Sequence, residues 1–137
     1  MTDEQNINIS PIGRSYKTVL IIEDEDAIRW ALRDNLPQMG VNVLEAENGQ
    51  KGLDLALSEH PDLIILDLIL PKVYGIDVLK KLRDDEWGKN AKVVVITSMD
   101  NDEIAEEAKG FGVKEFLIKK DWQLDEVLKF IKSKLEI

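Results

Sequence analysis

The sequence contains no cysteine. That excludes a disulfide framework, thiol catalysis and thiolate-bound zinc. Its one histidine, His60, precedes Pro61 and reads as an exposed turn residue. No stretch approaches the roughly 20 apolar residues of a membrane span, and the N-terminus lacks the charged-then-apolar pattern of a signal peptide. A cytoplasmic chain that meets no membrane is the expectation. Basic residues are scarce, 18 Lys and Arg against 27 Asp and Glu, for a net charge of −9. Nucleic acid needs a basic face, so it is not an expected partner. No glycine-rich loop follows the first apolar run, which argues against a dinucleotide-binding fold. There is no internal repeat.

What is present is a chain of 137 residues with 44% hydrophobic content, enough for one globular domain with a sizeable core. Residues 1–15 are polar and aperiodic and read as a flexible tail, with Ile7 and Ile9 the only hint of an edge strand. Residues 16–137 then alternate strand-like and helix-like patterns. Thr18 to Ile22 is a buried strand. Ala27, Ile28, Ala31, Leu32 and Leu36 follow at helical spacing, and Pro37 and Gly40 end that helix. Val41, Val43 and Glu45 alternate only partly, so a shorter edge strand is expected. Asn48 caps a second helix with Leu53, Ala56 and Leu57 inward. Leu63 to Leu66 is an unbroken apolar run, the pattern of a strand covered on both faces. A third helix starts near Ile76, and the polar loop after it carries Trp87, read as a hydrophobic flap. Val93 to Ile96 is a fourth strand. Asp100, Asn101 and Asp102 offer caps for a helix carrying Ile104, Ala105 and Ala108. Glu115 to Ile118 is a fifth strand, and Leu124, Val127, Leu128, Ile131 and Leu135 give the last helix its stripe. Such alternation implies a parallel sheet with helices on both faces.

In such a sheet the site lies at the carboxyl ends of the strands. Asp67 stands there, directly after the central run and before Pro71 and Gly75. A lone acid at a strand end is usually a loop cap. This one has company, because Glu23 and Asp24 follow the first strand, Thr97 and Ser98 the fourth, and Lys119 the fifth. Glu25 and Asp26 suit the start of the first helix, where the helix dipole favours acids. Three carboxylates crowded at one rim repel by several kcal/mol at intermediate dielectric, a repulsion that a divalent cation relieves. Hard oxygen ligands in an incomplete cage suit Mg²⁺.

The stretches Val-Leu-Ile-Ile-Glu-Asp-Glu (19–25), Asp-Leu-Ile-Ile-Leu-Asp-Leu-Ile-Leu-Pro-Lys-Val-Tyr-Gly (62–75), Val-Val-Ile-Thr-Ser (94–98) and Phe-Leu-Ile-Lys (116–119) together resemble the receiver domain of two-component response regulators. The resemblance covers roughly residues 16–136, nearly the whole chain. It implies a flavodoxin-like (βα)5 sandwich with strand order 2-1-3-4-5. It further implies a stand-alone single-domain response regulator, not an enzyme and with no output domain attached. Asp67 would accept a phosphoryl group from a phosphohistidine on a sensor histidine kinase or phosphotransfer protein. Asp24, Asp67 and the backbone carbonyl of Ile69 would hold Mg²⁺, or Mn²⁺ in its place, with Glu23 acting largely through water. Thr97, the backbone amide of Ser98 and Lys119 would bind the phosphoryl oxygens. Thr97 and Phe116 would form the switch, with Phe116 favouring a buried position because it lacks the hydroxyl of tyrosine. The face made by the fourth helix, fifth strand and fifth helix, with Ile104, Phe111 and Trp122, would meet a downstream protein or a second copy in a homodimer.

Two departures matter. Lys120 follows Lys119 where the family usually has proline, so a trans bond is expected there. Ile69 and Met99 occupy the positions two residues after Asp67 and Thr97, where polar side chains would orient a hydrolytic water. Neither makes a useful hydrogen bond, which implies a long-lived phosphorylated form. Two other readings compete. One is a receiver-like binding module that works without phosphorylation. The other is an aspartate-nucleophile phosphohydrolase, against which Ile69 stands where an acid is needed.

Overall fold

Alternate residues of a parallel strand point to opposite faces of the sheet, so a strand covered by helices on both sides must be apolar throughout. Two central strands of the computed structural model meet that condition in full, with every residue of Leu63–Asp67 (β3) and Val93–Thr97 (β4) buried. The structure describes residues 16–71, 73–98 and 102–137. The expected tail with its Ile7–Ile9 hint, Met99, and the candidate caps Asp100 and Asn101 lie outside them.

Three further strands flank that pair: Lys17–Ile22 (β1), Val41–Ala46 (β2) and Glu115–Ile118 (β5). All five pair in parallel in the order β2-β1-β3-β4-β5. The expected flavodoxin-like order is therefore the one observed. The helices are Asp26–Asn35 (α1), Gly49–Glu59 (α2), Gly75–Asp84 (α3), Asp102–Gly110 (α4) and Leu124–Leu135 (α5). Among the described residues, no helix is long and apolar enough to cross a membrane.

The two sheet faces carry separate cores. Leu20, Ile22, Ile64, Leu66, Val93 and Val95 pack with Leu53, Ala56, Val78, Leu79, Leu82 and Ala108, so α2, α3 and α4 cover one face. Val19, Ile21, Ile65, Val94 and Ile96 pack with Leu32, Val127, Ile131 and Leu135, so α1 and α5 cover the other. Each fully buried aliphatic side chain contributes about 1.5–3 kcal/mol.

The local signals in the sequence account for most element ends. α1 stops at Asn35, and Pro37 sits in a 3₁₀ turn, Leu36–Met39, that closes on Gly40 at φ 77°. The Asn48 side chain accepts the Lys51 amide at 2.8 Å and caps α2. His60 ends α2 at φ 49°, exposed as expected, and its ring stacks on Trp87 at 4.3 Å. Trp87 is thus a flap over the base of the sheet. Two expectations are corrected, the first being Leu57, which was expected inward on α2 and is exposed. β2 is not shorter than β1, because it pairs residue for residue from Lys17–Val41 to Ile22–Ala46. Its middle is only half-buried, as befits an edge, and that weakened the alternation.

α3 begins hard against the end of β3. A Cβ on Gly75 would collide with the Asp67 carbonyl oxygen and lie 2.6 Å from the Leu68 Cα. Both obstacles are backbone, which cannot swing aside. Gly75→Ala should therefore cost about 1–3 kcal/mol of stability, the range for overpacking. Gly110→Ala should cost nothing, since an added Cβ there meets no atom within 4 Å. Urea unfolding of the two variants checks this, and equal midpoints would show that the β3–α3 corner yields.

Candidate functional site

β1 and β3 are neighbours, and beyond them the sheet order runs in opposite directions. Their following connections leave on opposite faces and open a crevice at the carboxyl ends. Asp67 is the last residue of β3 and only 2% exposed, while Glu23 follows β1 and is fully buried. Asp24 beside it is exposed. Oxygens of Glu23, Asp24 and Asp67 lie within 4.8 Å of one another. Thr97 ends β4 and is 4% exposed, and Ser98 after it is exposed. Strand alternation puts Thr97, Val95 and, through the Val95–Phe116 pairing, Phe116 on the same face of the sheet.

Lys119 follows β5 and enters a 3₁₀ turn, Lys119–Asp121. Its ammonium reaches Asp67 Oδ2 at 2.9 Å, Glu23 Oε2 at 3.2 Å and Glu25 Oε1 at 2.7 Å. Lys120, in contrast, is exposed. No cis peptide occurs among the described residues, so the Lys119–Lys120 bond is trans as expected. The second Asp67 oxygen, Oδ1, accepts the Ile69 amide at 3.0 Å. Ile69 itself is 45% exposed.

Two residues at the rim do more than the sequence indicated. Glu25 reads as a helix-terminus acid, yet its amide donates to Glu23 Oε2 at 2.9 Å and its carboxylate holds Lys119. Arg29 is the second. It is 8% exposed and donates to the Glu23 carbonyl at 2.8 Å, to Asp26 Oδ1 at 2.6 Å and to Glu45 Oε1 at 3.2 Å. It clamps the acidic loop from beneath. The faint signal was an arginine on the otherwise apolar stripe of α1. Phe116 corrects a further expectation, since it is half-buried and not buried. It packs on the α2–α3–α4 core, and the Lys109 ammonium stands 5.9 Å from its ring centre, at cation–π distance.

The electrostatics are those of a site short of positive charge. Burial pushes the Glu23 carboxyl up to about 8; the neighbouring Asp67 charge adds to this, while the Glu25 amide and Lys119 oppose it. Burial alone would lower the Lys119 value, but Glu25, Asp67 and Glu23 outweigh it and raise it. Glu23 Oε1 lies 3.0 Å from the Lys119 ammonium, yet it is buried and forms no hydrogen bond among the described residues. The angle there suits a charge and not a donor. A buried, unsatisfied carboxylate oxygen beside two further carboxylates fits a divalent cation with hard oxygen preference.

Without metal, Glu23 binds its proton more tightly folded than unfolded, since about 8 exceeds the ordinary 4.5. Its contribution to stability is complete below the unfolded value and is lost as pH rises through the folded one. In EDTA, the melting temperature should therefore fall between about pH 5 and pH 8 more steeply for the wild type than for Glu23→Gln, which stays neutral throughout. Parallel slopes for the two proteins would show that Glu23 is ionised in the metal-free fold.

Comparison with known proteins bears on this geometry. The family model for the response regulator receiver domain matches residues 19–132. The chain is 39% identical over 104 residues to a cyclic di-GMP phosphodiesterase of Thermotoga maritima, covering 74% of this chain and 27% of that protein. It is 37% identical over 119 residues to the DNA-binding dual master transcriptional regulator RpaA of Synechocystis, covering 85% and 48%. It is 38% identical over 82 residues to the polar-differentiation response regulator DivK of Brucella ovis, covering 60% and 67%. The chain thus spans about a quarter and about half of the first two relatives. Among solved structures, the chemotaxis response regulator CheY4 of Vibrio cholerae superposes with TM-score 0.79 at 25% identity, covering 88% of this chain and 99% of that one. A CheY-like receiver domain protein of Methanospirillum hungatei superposes with TM-score 0.81 at 25% identity, covering 89% and 95%. With the family model spanning most of the sequence and the matching sheet order and acidic rim, the chain belongs to the response regulator receiver domain family.

Proposed function

We propose that the chain is a phosphorylation-dependent signalling switch whose phosphoacceptor is Asp67. The donor is a phosphohistidine on a sensor histidine kinase or a phosphotransfer protein, which places the chain in the cytoplasm. The observation that carries this reading is the Lys119 ammonium, 2.9 Å from Asp67 Oδ2 and within 3.2 Å of Glu23, at the meeting of three strand ends. An ammonium held against a buried carboxylate stands ready to take up phosphoryl charge.

In the transfer an Asp67 oxygen bonds to phosphorus while the phosphorus–nitrogen bond breaks. That electron pair stays on the donor imidazole, which leaves neutral when its other ring nitrogen carries a proton. The product is an acyl phosphate. Asp67 is held for attack by the Ile69 amide on one oxygen and Lys119 on the other. Lys119, the Thr97 hydroxyl and the Ser98 amide receive the phosphoryl oxygens, so catalysis is positioning and charge neutralisation. Asp24, Asp67 and the Ile69 carbonyl, with Glu23 through water, would hold Mg²⁺ or Mn²⁺, which when bound supplies positive charge to the phosphoryl oxygens. Ile69 beside Asp67 offers no general acid for a leaving group, which favours a switch over a phosphohydrolase.

The signal leaves through Thr97 and Phe116. A phosphoryl group draws Thr97 inward, and Phe116, on the same sheet face, moves into the space. Between β5 and α5 a hollow of about 330 Å³ is lined by Phe116, Ile118, Trp122, Val127 and Phe130. It suits an apolar side chain of a downstream protein or of a second copy. The competing reading, a binding module that ignores phosphate, lacks a reason for burying Glu23 and Asp67 around one ammonium.

Acetyl phosphate with Mg²⁺ should add one phosphoryl group to the wild type and none to Asp67→Asn, as read by intact mass. Lys119→Ala should lose the accompanying amide shifts around Thr97 and Phe116, and Lys120→Ala should keep them. Full labelling of the Asn variant, or loss of the response on changing Lys120 alone, contradicts the assignments.

Binding of Mg²⁺ should stabilise the fold. With the ion about tenfold above its Kd, linkage gives roughly 1.4 kcal/mol, or about 5 °C in melting temperature for a domain of this size. Asp24→Asn should remove most of that shift and Glu23→Gln less. An undiminished shift in the Asp24 variant would place the ion elsewhere.

A further inference from the structure

The Lys119 ammonium has three N–H donors, and all three are engaged: by Glu25 at 2.7 Å, Asp67 at 2.9 Å and Glu23 at 3.2 Å. A phosphoryl oxygen can reach that ammonium only by displacing a carboxylate. The three carboxylates are not equally displaceable. The Glu23 side chain is 0% exposed and has no water to turn to if parted from the ammonium, and the Asp67 side chain, 2% exposed, is fixed at the reacting centre. The Glu25 side chain is 54% exposed and turns into water at little cost. Its carboxylate also lies outside the cluster of Glu23, Asp24 and Asp67 that fits a cation. The backbone around it stays put, because its amide is held by Glu23 Oε2 at 2.9 Å and its carbonyl by the Arg29 amide at 3.0 Å.

We infer that Glu25 is a positioning residue that competes with the phosphoryl group for Lys119. It occupies the lysine in the resting site, at the shortest of the three distances, and yields its N–H when Asp67 is phosphorylated. The competition lowers the affinity of the site for a phosphoryl group and sets how readily the switch is charged. Because the pair is exposed, dissolved salt screens it, whereas the buried contacts of the same lysine are screened far less. Rising ionic strength therefore loosens the competitor before it loosens the site. The inference rests on Asp67 as phosphoacceptor.

The test is a beryllofluoride titration in saturating Mg²⁺, followed by the amide resonances of Ile69 and Thr97. At low salt, Glu25→Gln should bind about two- to fivefold more tightly than wild type, the worth of an exposed ion pair. Glu25→Asp keeps the charge but shortens the reach, and should share most of the gain. The gap should close at about 0.5 M salt, where the screening length is a few ångströms. Glu86→Gln makes the same charge change in the α3–β4 loop, at the other end of the sheet, and should leave the affinity unchanged. Equal low-salt affinities for wild type and Glu25→Gln overturn the inference. So does an Asp variant that matches wild type while the Gln variant gains, since that is long-range charge and not competition. A gap that persists in high salt overturns it as well. If wild type binds no beryllofluoride at all, the phosphoacceptor reading fails first and this inference falls with it.

Discussion

One ammonium makes the rest of the rim tenable. Glu23 and Asp67 are buried side by side at neighbouring strand ends. Two carboxylates out of water, with a third in reach, would cost several kcal/mol each if left uncompensated. Lys119 spans them from β5, on the far side of β4. The compensation is incomplete, because one cation faces Glu23, Glu25 and Asp67 together. Glu23 accordingly holds a proton until about pH 8 in the absence of metal, and one of its oxygens lacks a hydrogen bond among the described residues. A site so arranged has room in its charge balance for added positive charge.

The sheet supplies the geometry that makes this possible. Parallel strands put all their carboxyl ends on one side, so residues far apart in sequence converge without any long loop. Two separate cores fasten the strands from both faces. Around the acids the backbone is tightly held: α3 abuts the carbonyl of Asp67 at Gly75, and Arg29 grips the carbonyl of Glu23. The carboxylates are thus fixed by main chain, while Lys119, Thr97 and Phe116 lie on or beside β4 and β5, the other half of the sheet.

How much of this was legible beforehand follows from which interactions are local. Fully buried strands announce themselves as apolar runs, so the ends of β3 and β4 are legible to within a residue, and the run Phe116–Ile118 marks the half-buried β5 as well. Asp67, Thr97 and Lys119 were found because each directly follows such a run. The length of β2 was not legible, since an edge strand is half-solvated and its extent is set by pairing with β1. Glu25 was read as a helix-terminus acid because nothing local distinguishes that from a partner for a lysine 94 residues away. Arg29 escaped in part for the same reason, since its Glu45 partner lies on β2, although Asp26 and the Glu23 carbonyl are near in sequence. Phe116 is half-buried because it lies on an edge strand whose residues are all half-buried, and which strand forms the edge is set by the sheet order and not by local sequence.

The fifth strand has a further meaning. It is four residues long, half-buried along its whole length, and paired on one side only. Short, solvated edges of this kind sit at the low end of a protein's opening free energies and exchange their amide protons through local fluctuations, without global unfolding. β5 carries Phe116 and leads into Lys119, so the proposed output segment lies on an edge open to such fluctuations. A longer strand or a covered edge would raise the free energy of such local opening, and with it the cost of any rearrangement that passes through β5.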